Sequence, residues 1–227
     1  MNRFIPITAL MGLALPAYAA NTETPVIVSA TRVPTSIEQI GSSVNVIDAD
    51  EIKRHQWQTL PEALATIPGL HVVQSGPTGT QTAVFTRGAN SNHTLVLIDG
   101  VKASDPSHPN GAYDFAHILL DDVERIEIVR GPQSTQYGSD ALGGVIHIIT
   151  RTGQGKPRVS GRVEDGSFGT YARTASVRGG SQVAHYAATI MHTETDGQSI
   201  TPERLRAGQA EERDGYRNTT YSGRIGV

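Results

Sequence analysis

The 227-residue chain has no cysteine, so it has no disulfide, no thiolate metal site and no cysteine nucleophile. It has few aromatic residues (5%), and its 18% charged residues fall below the ~25% of an average soluble domain. The net charge of −3 gives no bulk attraction to nucleic acid. No uninterrupted apolar run approaches the ~18 residues of a spanning helix. G-x-S-x-G, H-E-x-x-H and phosphate-loop patterns are missing as well, so no enzyme is expected; Ser139 in YGSDALGG has the wrong flanks for an elbow nucleophile.

Glycine is abundant instead, at 24 residues, favouring turns and strands over long helices. The first 20 residues, MNRFIPITALMGLALPAYAA, join a positive start to an apolar stretch and a small-x-small site at Ala17-Tyr18-Ala19. That pattern predicts a signal peptide over 1–19. With export, the remaining destinations are the periplasm, the outer membrane as a β-barrel, or the medium.

After the leader, PVIVSATR carries three consecutive β-branched residues, Val26, Ile27 and Val28, which disfavour helix and suit an extended strand. Its immediate neighbours offer no apolar partner, so a mobile arm is expected over 20–32. Residues 33–150 read as a compact α+β unit, a small mixed sheet with short helices. Asp48 or Asp50 caps a helix through His55. Thr59 caps a second, with Pro61 in its first turn and Glu62 near the position that closes a capping box. AVFTRG, TLVLIDGV, VERIEIVRG and GGVIHIIT are strands. The back half of 102–122 is expected to hold a short helix. From 151 the pattern changes to alternating strands of ~9–11 residues, apolar on one face and rich in Arg, Ser and Thr on the other, which fits barrel strands or a half-buried soluble sheet.

Three stretches carry a resemblance: ETPVIVSATR (23–32), VFTRGANSNHTLVLIDGV (84–101) and VERIEIVRGPQSTQYGSDALGGVIHIITR (123–151). In this order they resemble TonB-dependent outer-membrane receptors, and within them the cobalamin transporter subfamily. The resemblance implies a plug domain followed by the first antiparallel strands of a transmembrane barrel of about 22 strands, with 151–227 a truncated start of it. It implies that Thr24, Pro25, Val26, Ile27, Val28, Ser29 and Ala30 bind TonB by adding a strand to its sheet. It also implies that Arg87, Glu127 and Arg130 pair with charges on the barrel wall, and that uptake is driven from the inner membrane in a Gram-negative bacterium. The substrate-contact candidates, by position on the outward loops, are Ser75, Thr78, Thr80, Asn90, Asn92, Ser107 and Asn110. No cofactor is required; calcium on Asp196, Glu212 and Asp214 is implied by the subfamily's hairpin sites. The implied cargo is a large polar nutrient, cobalamin first. A siderophore or haem receptor of the same family and a freestanding periplasmic binding module are the alternatives.

Overall fold

The structure is a computed structural model that describes residues 26–27, 29–181, 183–205 and 212–227. The predicted leader and Thr24, Pro25 and Val28 lie outside the described residues. Thirteen strands and three short helices occur among the described residues. They begin with β1 (Val26–Ile27), β2 (Thr35–Ser36), β3 (Ser43–Asp48), α1 (Ala49–His55), α2 (Leu60–Leu64), β4 (Leu70–Gln74), β5 (Thr82–Thr86) and β6 (Thr94–Ile98). Then follow β7 (Val101–Ala103), β8 (Val123–Arg130), α3 (Ser134–Tyr137), β9 (Gly144–Thr150), β10 (Arg158–Asp165), β11 (Tyr171–Gly180), β12 (His185–Thr195) and β13 (Tyr216–Gly226).

The plug is built on a five-stranded sheet in the order β3-β8-β9-β6-β7. The β6–β9 pair is parallel and the others are antiparallel. Alternation along the strands sends two side-chain sets to opposite faces. Val96, Ile126, Ile128, Ile146 and Ile148 form one core with Ile52, Leu60 and Leu64 of the helices. Leu95, Leu97, Val129 and Val145 face the other way and pack on Ile27 and Ala30 of the N-terminal segment. The sheet therefore has a helical layer on one side and the arm on the other.

Local capping agrees with the sequence in part. Asp48 accepts the Glu51 N–H at 2.7 Å and starts α1. At α2, Glu62 accepts from the Gln58 N–H at 2.9 Å and from the Thr59 hydroxyl at 2.8 Å, so the carboxylate reaches back as in a capping box while Thr59 makes no cap bond of its own. The helix expected late in 102–122 is not formed. Phe115 and Leu120 are buried there, but their N–H groups go to Thr82 O and Gln58 O, and Ile118 O accepts from Leu60, so the segment is tied to its neighbours rather than to itself.

Strands β10 to β13 form one antiparallel meander. One face turns Ala187, Thr189, Met191 and Thr193 toward the plug; the other leaves Val159, Val163, Tyr221 and Ile225 exposed. That is the two-faced pattern of a barrel wall with an apolar outer surface.

Candidate functional site

Two sites emerge, one where the arm meets the plug sheet and one at the rim between plug and wall. The arm does not behave as its local sequence suggests. Val26 and Ile27 pair with Ser36 and Thr35, and Ile27 is fully buried against the open face of the sheet. The apolar partners absent from the neighbouring sequence come from β6, β8 and β9, more than sixty residues away.

Directly after Ile27 the arm is held by polar contacts. Glu127 on β8 and His147 on β9 are directly opposed across the ladder and point to the arm side of the sheet. Glu127 Oε2 accepts from the Ser29 N–H at 2.9 Å and from the Ser29 hydroxyl at 2.5 Å. Ser29 Oγ also lies 2.9 Å from His147 Nδ1. The Gly100 N–H donates to His147 Nε2 at 3.0 Å, so Nε2 carries the lone pair and the ring proton sits on Nδ1, facing Ser29. Tyr137 donates its hydroxyl to Ser29 O at 3.0 Å, and Arg32 lies 4.5 Å above the Tyr137 ring centroid. Every polar group of Ser29 is thus paired. The Glu127 charge is offset by Arg125, whose Nε donates to Oε1 at 2.9 Å. Burial holds the His147 imidazole below the usual histidine range, against the opposing pull of Glu127 and Asp99.

Glu127, expected to pair with the barrel wall, is fully buried in this structure and bound to the arm. Arg130 is turned to groups of the plug itself, Ser43 Oγ at 2.7 Å, Asn45 Oδ1 at 2.5 Å and Pro68 O. Arg87, at φ 51°, lies over Gly131. The described plug–wall ion pairs place acid on the plug and arginine on the wall. Asp121 pairs with Arg162 at 2.8 Å and accepts from Thr174 at 2.5 Å. Asp122 accepts from Thr189 at 2.8 Å and from Ser222, and Asp99 pairs with Arg224 at 3.2 Å. Sequence reading passes over Asp121 and Asp122 because an LLDD stretch at a loop end looks like an ordinary solvated corner.

At the rim, a cleft of about 470 Å³ lies between the plug loop 76–78, the start of α2 and the loop ends of the wall strands. Gln58, Thr193, Thr195, Ser199, Asp214 and Tyr216 are among its lining residues. Gly79 is pressed against the Tyr216 ring at φ 87°, a position with no room for a Cβ. Tyr216 stacks on His117 with ring centroids 6.0 Å apart, locking the plug loop to the wall. Of the seven expected contacts, Thr78 alone lines this cleft. Asn92 and Asn110 line a separate hollow of about 320 Å³ beside Lys102 and Asp140. Thr80 and Ser107 bond within their own loops, to Pro77 O and Asp105, while Ser75 closes its loop through Gln81 O. Asn90 leads into the turn at Ser91–His93. Most of the missed residues come from wall strands and their loops, whose register against the plug has no local signal; Gln58, Thr59 and Glu62 come from the start of α2.

The three acidic residues named for calcium do not assemble a ligand set in this arrangement. Asp196 lies 3.6 Å from Arg213, Asp214 accepts the Ile200 N–H at 3.2 Å, and Glu212 is exposed. Among the described residues no group of three or more His, Cys, Asp or Glu side chains converges on a metal position.

The comparisons with known proteins agree with this architecture. The family model of the TonB-dependent Receptor Plug Domain matches residues 36–145. The chain is 34% identical to the vitamin B12 transporter BtuB of Photobacterium profundum over 232 aligned positions, which take in 100% of this chain and 37% of that protein. The vitamin B12 transporter BtuB of Vibrio vulnificus is 38% identical over 140 residues, 62% of this chain and 23% of the relative. Among solved structures, the ferric yersiniabactin uptake receptor FyuA of Yersinia pestis matches with a TM-score of 0.62 at 24% identity, over 81% of this chain and 28% of that one. The pyoverdine receptor FpvA of Pseudomonas aeruginosa PAO1 matches at 0.71 and 16%, over 88% and 27%. These two likenesses concern the fold alone.

The chain belongs to the TonB-dependent receptors, proteins of the Gram-negative outer membrane, and carries their plug domain with adjoining antiparallel strands. Within that family it lies close to the vitamin B12 transporters, and it spans little more than a third of the length of the Photobacterium relative.

Proposed function

We propose that this chain is the plug-bearing part of a transporter that takes a large polar nutrient, cobalamin, across the outer membrane with energy drawn through TonB. The observation that supports the cargo is the 34% identity running through the whole chain to a vitamin B12 transporter. The rim cleft is consistent with that cargo, since its walls combine hydroxyls, amides and carboxylates with the apolar surfaces of Pro77 and Phe168. The residues 24–30 are the TonB-binding segment in this reading, and the buried pose of Ile27 and Ser29 is its resting position. Binding of cargo at the rim, release of the arm, capture by TonB and displacement of the plug follow in that order.

The test is titration of the protein in detergent with cyanocobalamin, ferric siderophores and haem, each with calcium and with a chelator. Saturable binding of cyanocobalamin alone supports the reading. Binding of an iron chelate alone moves the cargo to the siderophore class. Loss of binding on chelation would bring Asp196, Glu212 and Asp214 back as calcium ligands in a rearranged loop.

A further inference from the structure

We infer that Ser29, Glu127 and His147 form a proton-sensitive catch on the arm, which opens when His147 takes up a second ring proton. The geometry forces one sign of response. With Nε2 accepting from Gly100 and Nδ1–H facing Ser29, the docked arm requires a neutral imidazole in a single tautomer. A second proton on Nε2 would face the Gly100 N–H, donor against donor, and that contact must break. The imidazolium then has a stronger partner than a hydroxyl. Glu127 is its cross-strand neighbour, and direct pairing of the two removes the carboxylate oxygen that holds both the N–H and the hydroxyl of Ser29.

Protons can reach the ring. His147 is only 8% exposed, but it lines a cleft of about 530 Å³ shared with Arg32, Leu97, Gly100, Tyr137 and Asp140. The charged groups around it are Glu127 and Arg125 of β8, Asp99 at the end of β6, Arg32 of the arm, Lys102 of β7 and Asp140. Lys102 and Asp140 pair with each other, and Arg125 is engaged by Glu127. Burial and Arg125 oppose the charged ring, Glu127 and Asp99 favour it, and burial is the largest influence. The docked state thus holds its histidine below the ordinary value. Its stability is complete above about pH 6.5 and is lost progressively as pH falls below that. The role of this catch in TonB access rests on the function proposed above; the catch itself does not.

The chain has no cysteine, so Val33→Cys, at an exposed site just after the clamped residues, takes a single spin label. A second protein labelled at Val73→Cys, an exposed site on β4 outside the five-stranded sheet, reports on the plug away from the arm. In detergent, lowering the pH from 7.5 to 5 is expected to raise the mobile fraction at position 33 at least threefold with position 73 unchanged. In the His147→Gln background the rise should vanish. Titration of the His147 ring by nitrogen NMR in the unsubstituted protein should follow the same midpoint. No rise, an equal rise in His147→Gln, a parallel change at position 73, or protonation of His147 with the arm still docked would each overturn the catch. Binding of an isolated TonB C-terminal domain to protein lacking residues 24–30 separates the two ideas: unchanged binding sinks the TonB assignment and leaves the catch standing.

Discussion

Arg162 of β10 reaches across to Asp121 of the plug at 2.8 Å, and Thr174 of the neighbouring strand binds the other oxygen of the same carboxylate at 2.5 Å. One plug residue is thereby held by two wall strands. Both partners are partly exposed, which limits the strength of the pair. A double-mutant cycle with Asp121→Ala and Arg162→Ala, read by urea unfolding in detergent, should give a coupling of about 0.5–1 kcal/mol. Zero coupling would reduce the contact to coincidence.

Asp122 is the more deeply placed of the two aspartates and accepts from both Thr189 and Ser222. Removing its carboxylate leaves two hydroxyls without their acceptor, at a cost of about 1–3 kcal/mol. Asp122→Asn keeps one acceptor and should retain about half of that. If Asp122→Ala and Asp122→Asn unfold at the same urea concentration as the parent, the wall hydroxyls have found water instead.

Gly79 has a left-handed backbone and the Tyr216 ring where a side chain would go. Gly79→Ala is expected to cost about 1 kcal/mol or more and to free the loop from the wall. Proteolysis within residues 74–82 should speed up several-fold. Adding Tyr216→Ala should recover part of the effect, because the ring is the larger of the two obstacles.

Ile27 is the apolar anchor of the arm. Ile27→Ala leaves a cavity in the smaller of the two cores, worth about 2–4 kcal/mol for a site that cannot collapse. The loss should appear as arm release ahead of plug unfolding, seen as hydrogen exchange that rises first over 29–36. Uniform exchange across the whole sheet would mean that arm and plug unfold as one unit.

The sheet is legible from its strands. VERIEIVRG and GGVIHIIT, read as strands, form β8 and β9, and the order of the three long motifs points to the family. The helix expected in the back half of 102–122 is an error of a definite kind. Phe115, Ala116, Leu119 and Leu120 recur at helical spacing because all are buried, yet their backbone groups serve α2 and β5. The charges inside β8 are plain in the sequence, but their direction is not. Glu127 faces the arm because β8 pairs β9 in a register that sets it opposite His147, and single-strand periodicity carries no information on that pairing. The aspartates that do face the wall have partners on strands 41 to 125 residues further on, beyond any local pattern.

The placement of the arm has a mechanical consequence. β1 and β2 are antiparallel neighbours joined by a short return, so tension applied from the N-terminal side meets the Val26–Ile27 pairing first, then Ser29, then the ring contact at Arg32. Bonds loaded one after another peel at low force, whereas the long ladders of the plug sheet would have to be sheared together. A steady pull is therefore spent first on the outermost layer, and the sheet feels it only after the apolar face formed by Leu95, Leu97, Val129 and Val145 has been stripped of its cover. The arm is both handle and wrapping, and whatever draws it away leaves the plug with a wetted, weaker face at the moment the load arrives.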